Sequence, residues 1–245
     1  VDPTLSADAG ADVILDGQSA SDDFGISVAS AGDFNGDGID DIIVGASNDF
    51  GNADDSGRAF IFFGGITGTK RADANADVTL NGQSDGDRFG WSVASAGDFN
   101  GDGKGDVIVG APYDDNNSLD GSGSAFIFFG GITGTKTADA DANVILNGQS
   151  GNDAFGRSVA SAGDFNGDGK DDVIVGAQND DNNSTSNSGS AFIFFGGITG
   201  TKLADAADVI LNGQSDDDCF GCAISSAGDF NGDGKDDVIV GAYND

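Results

Sequence analysis

Histidine, glutamate and methionine are all absent from the 245-residue sequence. Without histidine, Ser-His-Asp and Cys-His nucleophilic sites cannot be assembled, and most general-base designs lose their usual residue. No glycine-rich phosphate loop with its lysine occurs. No pair of aspartates stands apart from the repeated pattern as a glycosidase pair would. We therefore expect the chain not to be an enzyme.

Glutamate is missing although the chain is strongly acidic, so all 42 acidic residues are aspartate. Aspartate favours turns and caps whereas glutamate favours helices, which predicts loops and strands. Only ten lysines and arginines oppose these carboxylates, and the formal net charge is −32. A charge of this sign repels nucleic acid and anionic membrane surfaces. Cations are the expected partners, and nucleic acid is not.

Long apolar runs are also missing, since no stretch of 18 apolar residues occurs, and this predicts no insertion into a membrane. The chain is nevertheless 38% hydrophobic, enough for a sizeable core in one all-β domain over residues 1–245. It begins with Val1 rather than methionine. We therefore expect a processed or excised piece of something longer.

The two cysteines, Cys219 and Cys222, form a CxxC pair. With no histidine and no third cysteine, one chain cannot supply a usual zinc ligand set. A local disulfide would suit an extracellular setting. Two buried thiols in place of small residues are equally compatible with the pattern.

One nine-residue motif, Asp-Phe-Asn-Gly-Asp-Gly-X-X-Asp, occurs four times in the sequence. Its copies start at Asp33, Asp98, Asp164 and Asp229. Side-chain oxygens fall at positions 1, 3, 5 and 9, and position 6 is the glycine that a sharp turn requires. Ca²⁺ takes six to eight oxygen ligands, and the backbone carbonyl of position 7 is the natural fifth protein ligand. The spacing therefore predicts about four bound Ca²⁺, one in each loop. The predicted ligands are Asp33, Asn35, Asp37, Ile39 and Asp41; Asp98, Asn100, Asp102, Lys104 and Asp106; Asp164, Asn166, Asp168, Lys170 and Asp172; and Asp229, Asn231, Asp233, Lys235 and Asp237.

These loops are not EF-hands. An EF-hand needs a bidentate glutamate at position 12 and flanking helices. Position 12 in the first copy is Val44, inside the apolar run Ile42–Ala46. A loop that joins two strands fits better.

The motif marks a sequence repeat with a period of 65 or 66 residues, and the units are 12–76, 77–142, 143–207 and an incomplete 208–245. Each complete unit contains four short strand candidates; in the first unit these are Val13–Leu15, Ser27–Gly32, Ile42–Ala46 and Ala59–Phe63. Several are apolar at consecutive positions, which indicates that both faces of a sheet are covered. Sheets packed face to face around an axis, as in a β-propeller, satisfy this pattern.

A Phe-Gly pair precedes each loop and a Gly-Ala pair follows it, as in Phe24-Gly25 with Gly45-Ala46 and Phe89-Gly90 with Gly110-Ala111-Pro112. The same pairs recur around the third and fourth loops. Together these motifs resemble the FG-GAP repeat of the integrin α-subunit propeller and its bacterial relatives. The resemblance implies an all-β fold, a β-propeller of four-stranded antiparallel blades with about three and a half blades in this chain. It also implies calcium in the blade hairpins and a role in adhesion or recognition.

The strand candidates do not add up to a closed ring of complete blades. The first candidate corresponds to the outermost strand of a blade, and the last is the second strand of the fourth unit. Three explanations stay open: further sequence beyond Asp245, two chains that share a ring, or four blades that close imperfectly. An open edge of apolar strands invites pairing with another chain, so self-association is one expectation.

Positions that vary between repeats indicate where a ligand would bind, and two such positions flank the Phe-Gly pair. Ile26, Trp91, Arg157 and Cys222 follow it, and Asp23, Arg88, Ala154 and Cys219 precede it. Tryptophan and arginine are common interface anchors. We predict a ligand-binding surface that contains Ile26, Arg88, Trp91 and Arg157, with neutral drift at exposed positions as the alternative.

Millimolar calcium is an extracellular condition, and we expect a protein that needs several calcium ions at once to be found there. The sequence thus predicts a secreted or cell-surface recognition or adhesion module that binds a protein or glycan. The alternatives are a structural surface-layer or matrix repeat that calcium makes rigid, and a targeting domain of a larger secreted enzyme.

Overall fold

The computed structural model describes residues 11–49, 56–115, 118–181 and 185–244. Strands dominate these ranges, which confirms the predicted all-β class. The strands are β1 (Val13–Asp16), β2 (Phe24–Gly32), β3 (Asp41–Ala46), β4 (Arg58–Phe62), β5 (Gly68–Arg71), β6 (Val78–Asn81), β7 (Ser92–Gly97), β8 (Asp106–Ala111), β9 (Ser124–Phe128), β10 (Gly134–Thr137), β11 (Val144–Asn147), β12 (Phe155–Gly163), β13 (Asp172–Ala177), β14 (Ser190–Phe194), β15 (Gly200–Leu203), β16 (Val209–Asn212), β17 (Ala223–Gly228) and β18 (Asp237–Gly241).

Helical structure in these ranges is confined to the connections. It consists of α1 (Ala72–Asn75), α2 (Ala138–Asp141) and a 3-10 turn at Ala204–Ala206. None of the helices in the described ranges is long and apolar enough to cross a bilayer.

The strands form consecutive antiparallel sheets that we number as blades. Blade 1 contains β2, β3, β4 and β6, blade 2 contains β7, β8, β9 and β11, blade 3 contains β12, β13, β14 and β16, and the described part of blade 4 contains β17 and β18. The outermost strand of each complete blade thus comes from the start of the next sequence unit. This arrangement agrees with a partial β-propeller.

A fifth strand, which we did not predict, extends two of the sheets. β10 pairs in parallel with β6, and β15 pairs in parallel with β11. β5 pairs in the same way with β1, and these two strands form a separate sheet. These Gly-Thr-Lys segments were not among the four strands predicted for each repeat. Their side chains are mostly exposed, so they carry no apolar signal that would mark a strand.

The predicted burial of both sheet faces is confirmed in the middle strands. Every residue of β8 and β9 is buried. One core cluster joins Ile43 and Ile61 of blade 1 to Val107, Phe126 and Phe128 of blade 2. Blades 2 and 3 share a second cluster of the same kind. The core therefore lies between the blades.

The two glycine motifs meet at each of these blade interfaces. A Cβ built on Gly45, Gly110 or Gly176 would lie 2.0 to 2.1 Å from the carbonyl oxygen of Gly90, Gly156 or Gly221 in the following blade. Real Cβ atoms do not approach backbone oxygens so closely. Glycine in the Gly-Ala pair is therefore required by contact with the Phe-Gly pair of the next blade.

We predict that Gly110→Ala destabilises the fold by about 2 kcal/mol or more, because the added methyl group clashes with backbone and forces the blades apart. The measurement is the free energy of unfolding in urea.

Gly241→Ala is the matched control. Gly241 holds the same motif position in blade 4, where the nearest atoms to a built Cβ are those of Ala223 at 3.6 Å. Its unfolding free energy should change by less than about 0.5 kcal/mol. Equal effects of the two substitutions would contradict the blade contact as the reason for the glycine.

Candidate metal loops and an arginine–aromatic cluster

The four predicted calcium loops lie between the first two strands of each blade, and the first aspartate organises each loop. Asp33 Oδ1 accepts hydrogen bonds from the Gly36 and Asp37 amides at 2.8 Å, and Oδ2 accepts one from Gly38 at 2.9 Å. The same three bonds recur at Asp98, Asp164 and Asp229. Both glycines have positive φ, +81° and +88° in the first loop. The motif therefore folds the chain around its first carboxylate.

The ninth residue ties the loop to the sheet. Asp106 Oδ2 accepts a hydrogen bond from the Asn100 amide at 3.1 Å, and Oδ1 accepts one from the Gly130 amide at 2.8 Å, just beyond β9. Asp41 and Asp172 make the equivalent pairs of bonds. All three carboxylates are buried.

Burial raises the pKa of Asp106 to about 6, with a further rise from the negative charges of Asp102 and Asp98. Asp172 is raised to about 6 for the same reasons, with Asp168 and Asp164 as the neighbours. The pKa of Asp41 is also raised, mainly by burial. The loops thus hold negative charge in a setting that disfavours it.

The donor chemistry of the loops fits a hard cation. In the described ranges no group of three or more Asp or Cys side chains is arranged to hold a metal as it stands. The loop carboxylates accept hydrogen bonds from backbone amides instead. Oδ2 of each first aspartate accepts one backbone hydrogen bond and keeps a second lone pair. In the third loop, Asn166 Oδ1 is a buried oxygen with no hydrogen-bond partner. A cation would satisfy this oxygen.

The residue at position 7 would offer its carbonyl, and its side chain lies elsewhere. The side chains of Lys104, Lys170 and Lys235 cover Gly36, Gly101 and Gly167, which belong to the loop of the preceding blade. Ile39, at the same position in blade 1, is half exposed.

Three of the four residues predicted to bind a ligand come together on one surface. Arg157, in β12, places its guanidinium carbon 4.2 Å from the centroid of the Trp91 ring. The guanidinium carbon of Arg88 lies 5.6 Å from the same centroid. The predicted grouping of these side chains is found across the boundary of blades 2 and 3, whereas Ile26 lies apart on β2, 49% exposed.

Tyr113 also belongs to this cluster, although it was not among the residues predicted from the sequence. Its ring lies 6.3 Å from that of Trp91, nearly perpendicular at 88°, and 5.4 Å from the guanidinium carbon of Arg88. The signal was present, because Asn48, Asn179 and Asn244 hold this position in the other repeats. Beside the cluster, Asp85, Asp115 and Asp120 line an open cavity of about 550 Å³.

The residue before each Phe-Gly pair has left-handed backbone. Asp23, Arg88, Ala154 and Cys219 have φ between +53° and +55°. A non-glycine residue in this region is strained. The fold therefore fixes the backbone conformation at this position, whereas the side chain differs between repeats.

The cysteines are free thiols, so the disulfide alternative is not observed. Cys222 Sγ lies 3.6 Å from the carbonyl oxygen of Gly241, and Cys219 Sγ lies 3.8 Å from the side-chain nitrogen Nδ2 of Asn244. Both are partly buried.

Outside the loops, a second set of acidic residues forms buried pairs near the variable positions. Burial raises the pKa of Asp87 to about 7, and the charge of Asp114 adds to the rise. Asp153 is raised to about 7 by burial and by Asp180. In the first repeat Asp49 instead contacts the buried Arg58 guanidinium at 2.5 Å. Ser124 and Ser190 replace that arginine in the next two repeats.

The comparisons with known proteins agree with this architecture. Residues 24–62, 89–128, 155–194 and 223–245 match the family model described as the FG-GAP repeat. These segments cover more than half of the chain and fall on the four blades, so the chain belongs to the FG-GAP repeat family.

Two integrin α-subunits are among its relatives. The chain is 34% identical over 168 residues to integrin alpha-6 of Gallus gallus, which covers 68% of this chain and 14% of that protein. It is 33% identical over 234 residues to integrin alpha pat-2 of Caenorhabditis briggsae, covering 87% of this chain and 17% of that protein.

A third relative carries the name of an enzyme. The phosphatidylinositol-glycan-specific phospholipase D of Bos taurus is 33% identical over 159 residues, covering 63% of this chain and 18% of that protein. The chain thus spans less than a fifth of the length of each of these three relatives.

The buried aspartate pairs predict a pH dependence. Because the folded pKa values of Asp87 and Asp153 lie above the ordinary value, their contribution favours folding at low pH and is lost as the pH rises through about 7. The double variant Asp87→Asn and Asp153→Asn keeps an oxygen for the amides of Ser84 and Ser150 but removes the titration. Its melting temperature, relative to wild type, should rise between about pH 5 and about pH 8.

Asp205→Asn, at an exposed site in the 3-10 turn, serves as the control. It should follow the wild-type pH profile. A double variant that also follows the wild-type profile would show that the pairs do not titrate as described.

Proposed function

We propose that the chain is a calcium-stabilised, extracellular recognition or adhesion module that binds a protein or glycan ligand without catalysing a reaction. The observation that carries the recognition role is the cluster of Arg88, Trp91, Tyr113 and Arg157. Two of only ten basic residues in a chain of net charge −32 flank its single tryptophan. Similarity to integrin α-subunits supports the adhesion role.

Calcium would be held by the side chains at positions 1, 3, 5 and 9 of each loop together with the carbonyl at position 7. Its chemistry there is structural, because a divalent cation neutralises carboxylates and links oxygens from separate parts of a loop. Hydrogen bonds within the chain order the loop for such a role. The first aspartate accepts bonds from amides of the turn, and the ninth accepts a bond from an amide just beyond the third strand of the blade. An extracellular location fits this proposal, because extracellular calcium-binding modules work at calcium concentrations of about 0.1 to 1 mM.

The cluster would act as the anchor of the ligand surface. Stacked guanidinium and aromatic groups present flat, partly desolvated faces that suit aromatic or sugar rings and ligand carboxylates. Tyr113 is 47% exposed, and Trp91 and Arg157 are partly buried. Partial burial limits the side-chain entropy lost on binding.

A second candidate function is that of a non-catalytic targeting segment in a larger secreted enzyme. The similarity to a phospholipase D favours it. In this case the same cluster would bind the surface to which the enzyme is directed.

Calcium binding predicts a higher melting temperature in Ca²⁺ than in EDTA. A ligand at a hundredfold excess over its dissociation constant stabilises by about 2.7 kcal/mol per site. Asn166→Asp should lower the melting temperature in EDTA, because it adds a charge beside Asp168 and Asp172, and should enlarge the gain on adding Ca²⁺. Differential scanning calorimetry measures both effects.

Asn75→Asp adds the same charge at the exposed end of α1, outside the loops. It should leave the calcium gain unchanged. Identical melting of the wild type in Ca²⁺ and in EDTA would refute calcium binding at the loops.

The recognition role predicts reproducible, calcium-dependent binding to one class of ligand on an array of glycans and matrix proteins. Trp91→Ala should weaken that binding at least about tenfold, since central tryptophans commonly contribute more than about 1.4 kcal/mol. Trp91→Phe should lose less, and Leu203→Ala, on the outer strand β15, should bind as wild type does.

An array that stays blank while calcium still raises the melting temperature would argue against recognition. That pair of results would favour a structural repeat.

A further inference from the structure

A pair of buried aspartates occurs at the same place in each of the first three blades. One aspartate lies two residues before the phenylalanine of the Phe-Gly pair, and the other lies three residues after the alanine of the Gly-Ala pair. None of the six residues is more than 4% exposed. The pairs are Asp22 with Asp49, Asp87 with Asp114, and Asp153 with Asp180.

The same backbone contacts hold the pairs of blades 1 and 3. The carboxylates of Asp22 and Asp153 each accept a hydrogen bond from the serine amide three residues earlier, at 2.6 and 3.0 Å. The amides of Asp49 and Asp180 each donate to the alanine carbonyl three residues earlier, at 3.2 Å in both blades. The amide just before the second aspartate donates to the carbonyl of the first, at 3.2 and 3.3 Å. The two pairs therefore occupy equivalent places in their blades.

In blade 1 the chain itself supplies a positive charge at this place. Arg58 Nη2 lies 2.5 Å from Asp49 Oδ1, and Gln18 Nε2 donates to the same oxygen at 2.6 Å. Arg58 is buried, and its guanidinium carbon lies 5.3 Å from the centroid of the Phe60 ring. This contact satisfies the general requirement that a buried charge be paired.

Blades 2 and 3 keep the aspartates and lack the arginine. Ser124 and Ser190 hold its position, and a neutral hydroxyl cannot balance two carboxylates. Among the residues that the structure describes, neither Asp153 nor Asp180 forms an ion pair with a lysine or arginine. The internal comparison therefore shows a place that contains a cationic group in one blade and only the acidic partners in another.

Two buried oxygen atoms of blade 3 indicate that something is missing there. Asp180 Oδ2 and Ser188 Oγ have no hydrogen-bond partner within the described part of the chain. The two residues are neighbours, because the Gly189 amide, next to Ser188, donates to the Asp180 carbonyl at 3.0 Å. Buried polar atoms without a partner are rare in folded proteins. Burial and the charge of Asp180 also raise the pKa of Asp153 to about 7, which reflects the cost of this uncompensated pair.

We propose that the aspartate pairs of blades 2 and 3 each bind one divalent cation of the Ca²⁺ type, at the place that the Arg58 guanidinium holds in blade 1. The side chains that surround this place, aspartates and serines, offer oxygen atoms, which are the ligands of hard cations. Two carboxylates match the charge of one divalent ion. These sites are separate from the four hairpin loops and do not depend on calcium there.

Solvent comes close to the pair of blade 2. The open cavity of about 550 Å³ beside the arginine–aromatic cluster is lined by both sequence neighbours of Asp87 and by both sequence neighbours of Asp114. A cation therefore has a short path from the surface to these carboxylates.

Moving the arginine of blade 1 into the other two blades tests the proposal. Ser124→Arg and Ser190→Arg should each displace one Ca²⁺ per chain, and the double variant two, because the guanidinium takes the place of the ion. The phenylalanine beside the Arg58 guanidinium is present at the same position in both blades. The measurement is Ca²⁺ bound per chain by equilibrium dialysis, at about 1 mM free calcium, which fills weak sites, and about pH 8, where the pairs are ionised. In EDTA the double variant should melt at a higher temperature than wild type, since it pairs the buried carboxylates.

Three further variants make the test independent of how well the new arginines fit. Asp180→Asn keeps the shape of the side chain and removes its charge, so it should bind one Ca²⁺ fewer than wild type. Arg58→Ser should bind one more, because it gives blade 1 the arrangement of blades 2 and 3. Asp205→Asn, at an exposed site, should bind as wild type does. Circular dichroism checks that each variant is folded.

An unchanged number of bound ions in a folded Ser124→Arg and Ser190→Arg double variant, or in Asp180→Asn, would overturn the proposal. Failure of calcium binding at the hairpin loops gives a different result. Wild type would then bind about two ions instead of about six, while the difference between wild type and the double variant would still be about two.

Discussion

The close approach of consecutive blades is the constraint on which the rest of the structure depends. Gly110 lies so near the Gly156 carbonyl that no side chain fits between them, and the same contact recurs at Gly45 and Gly176. At this separation both faces of each middle strand are buried, which is why β8 and β9 contain no exposed residue. Dispersion and apolar burial across these interfaces supply the favourable energy. The Phe-Gly and Gly-Ala motifs are therefore packing motifs, and their conservation within the chain follows from geometry.

The acidic composition follows from a second constraint, which acts on the loops. A hairpin that carries four oxygen-bearing ligand side chains in nine residues must keep its carboxylates in fixed places. Backbone amides do this, as three of them converge on each first aspartate. The ninth aspartate is held by amides from two segments, yet its burial raises the pKa, so these bonds do not offset the loss of water. The loops are thus ordered by hydrogen bonds and still carry an electrostatic cost that a cation would relieve.

Most of the fold could be predicted from the sequence, since apolar runs without alternation and a period of 65 or 66 residues leave few architectures. Apart from Tyr113, whose departure from the asparagines of the other repeats was visible, what escaped prediction had no local signal. β10 and β15 are held by pairing with an outer strand that lies elsewhere in the sequence, and their own side chains are polar. Asp87 and Asp153 look like any other aspartate in a polar segment, and only the folded chain reveals that they are buried beside a second carboxylate. For the site, Trp91, Arg88 and Arg157 could be found because each departs from its repeat.

Departures from the repeat are informative when they meet in space. Tyr113 differs from the asparagines at its equivalent positions, Trp91 and Arg157 differ from each other at a second position, and the fold brings all three together across two blades. Neutral drift would scatter such changes among the repeats without regard to contact. The single departure at Arg58 is explained differently, because it neutralises Asp49 inside the first repeat and requires no ligand. An isolated change with an internal partner thus has a structural reason, whereas a group of changes that stack at the surface supports the ligand surface that we propose.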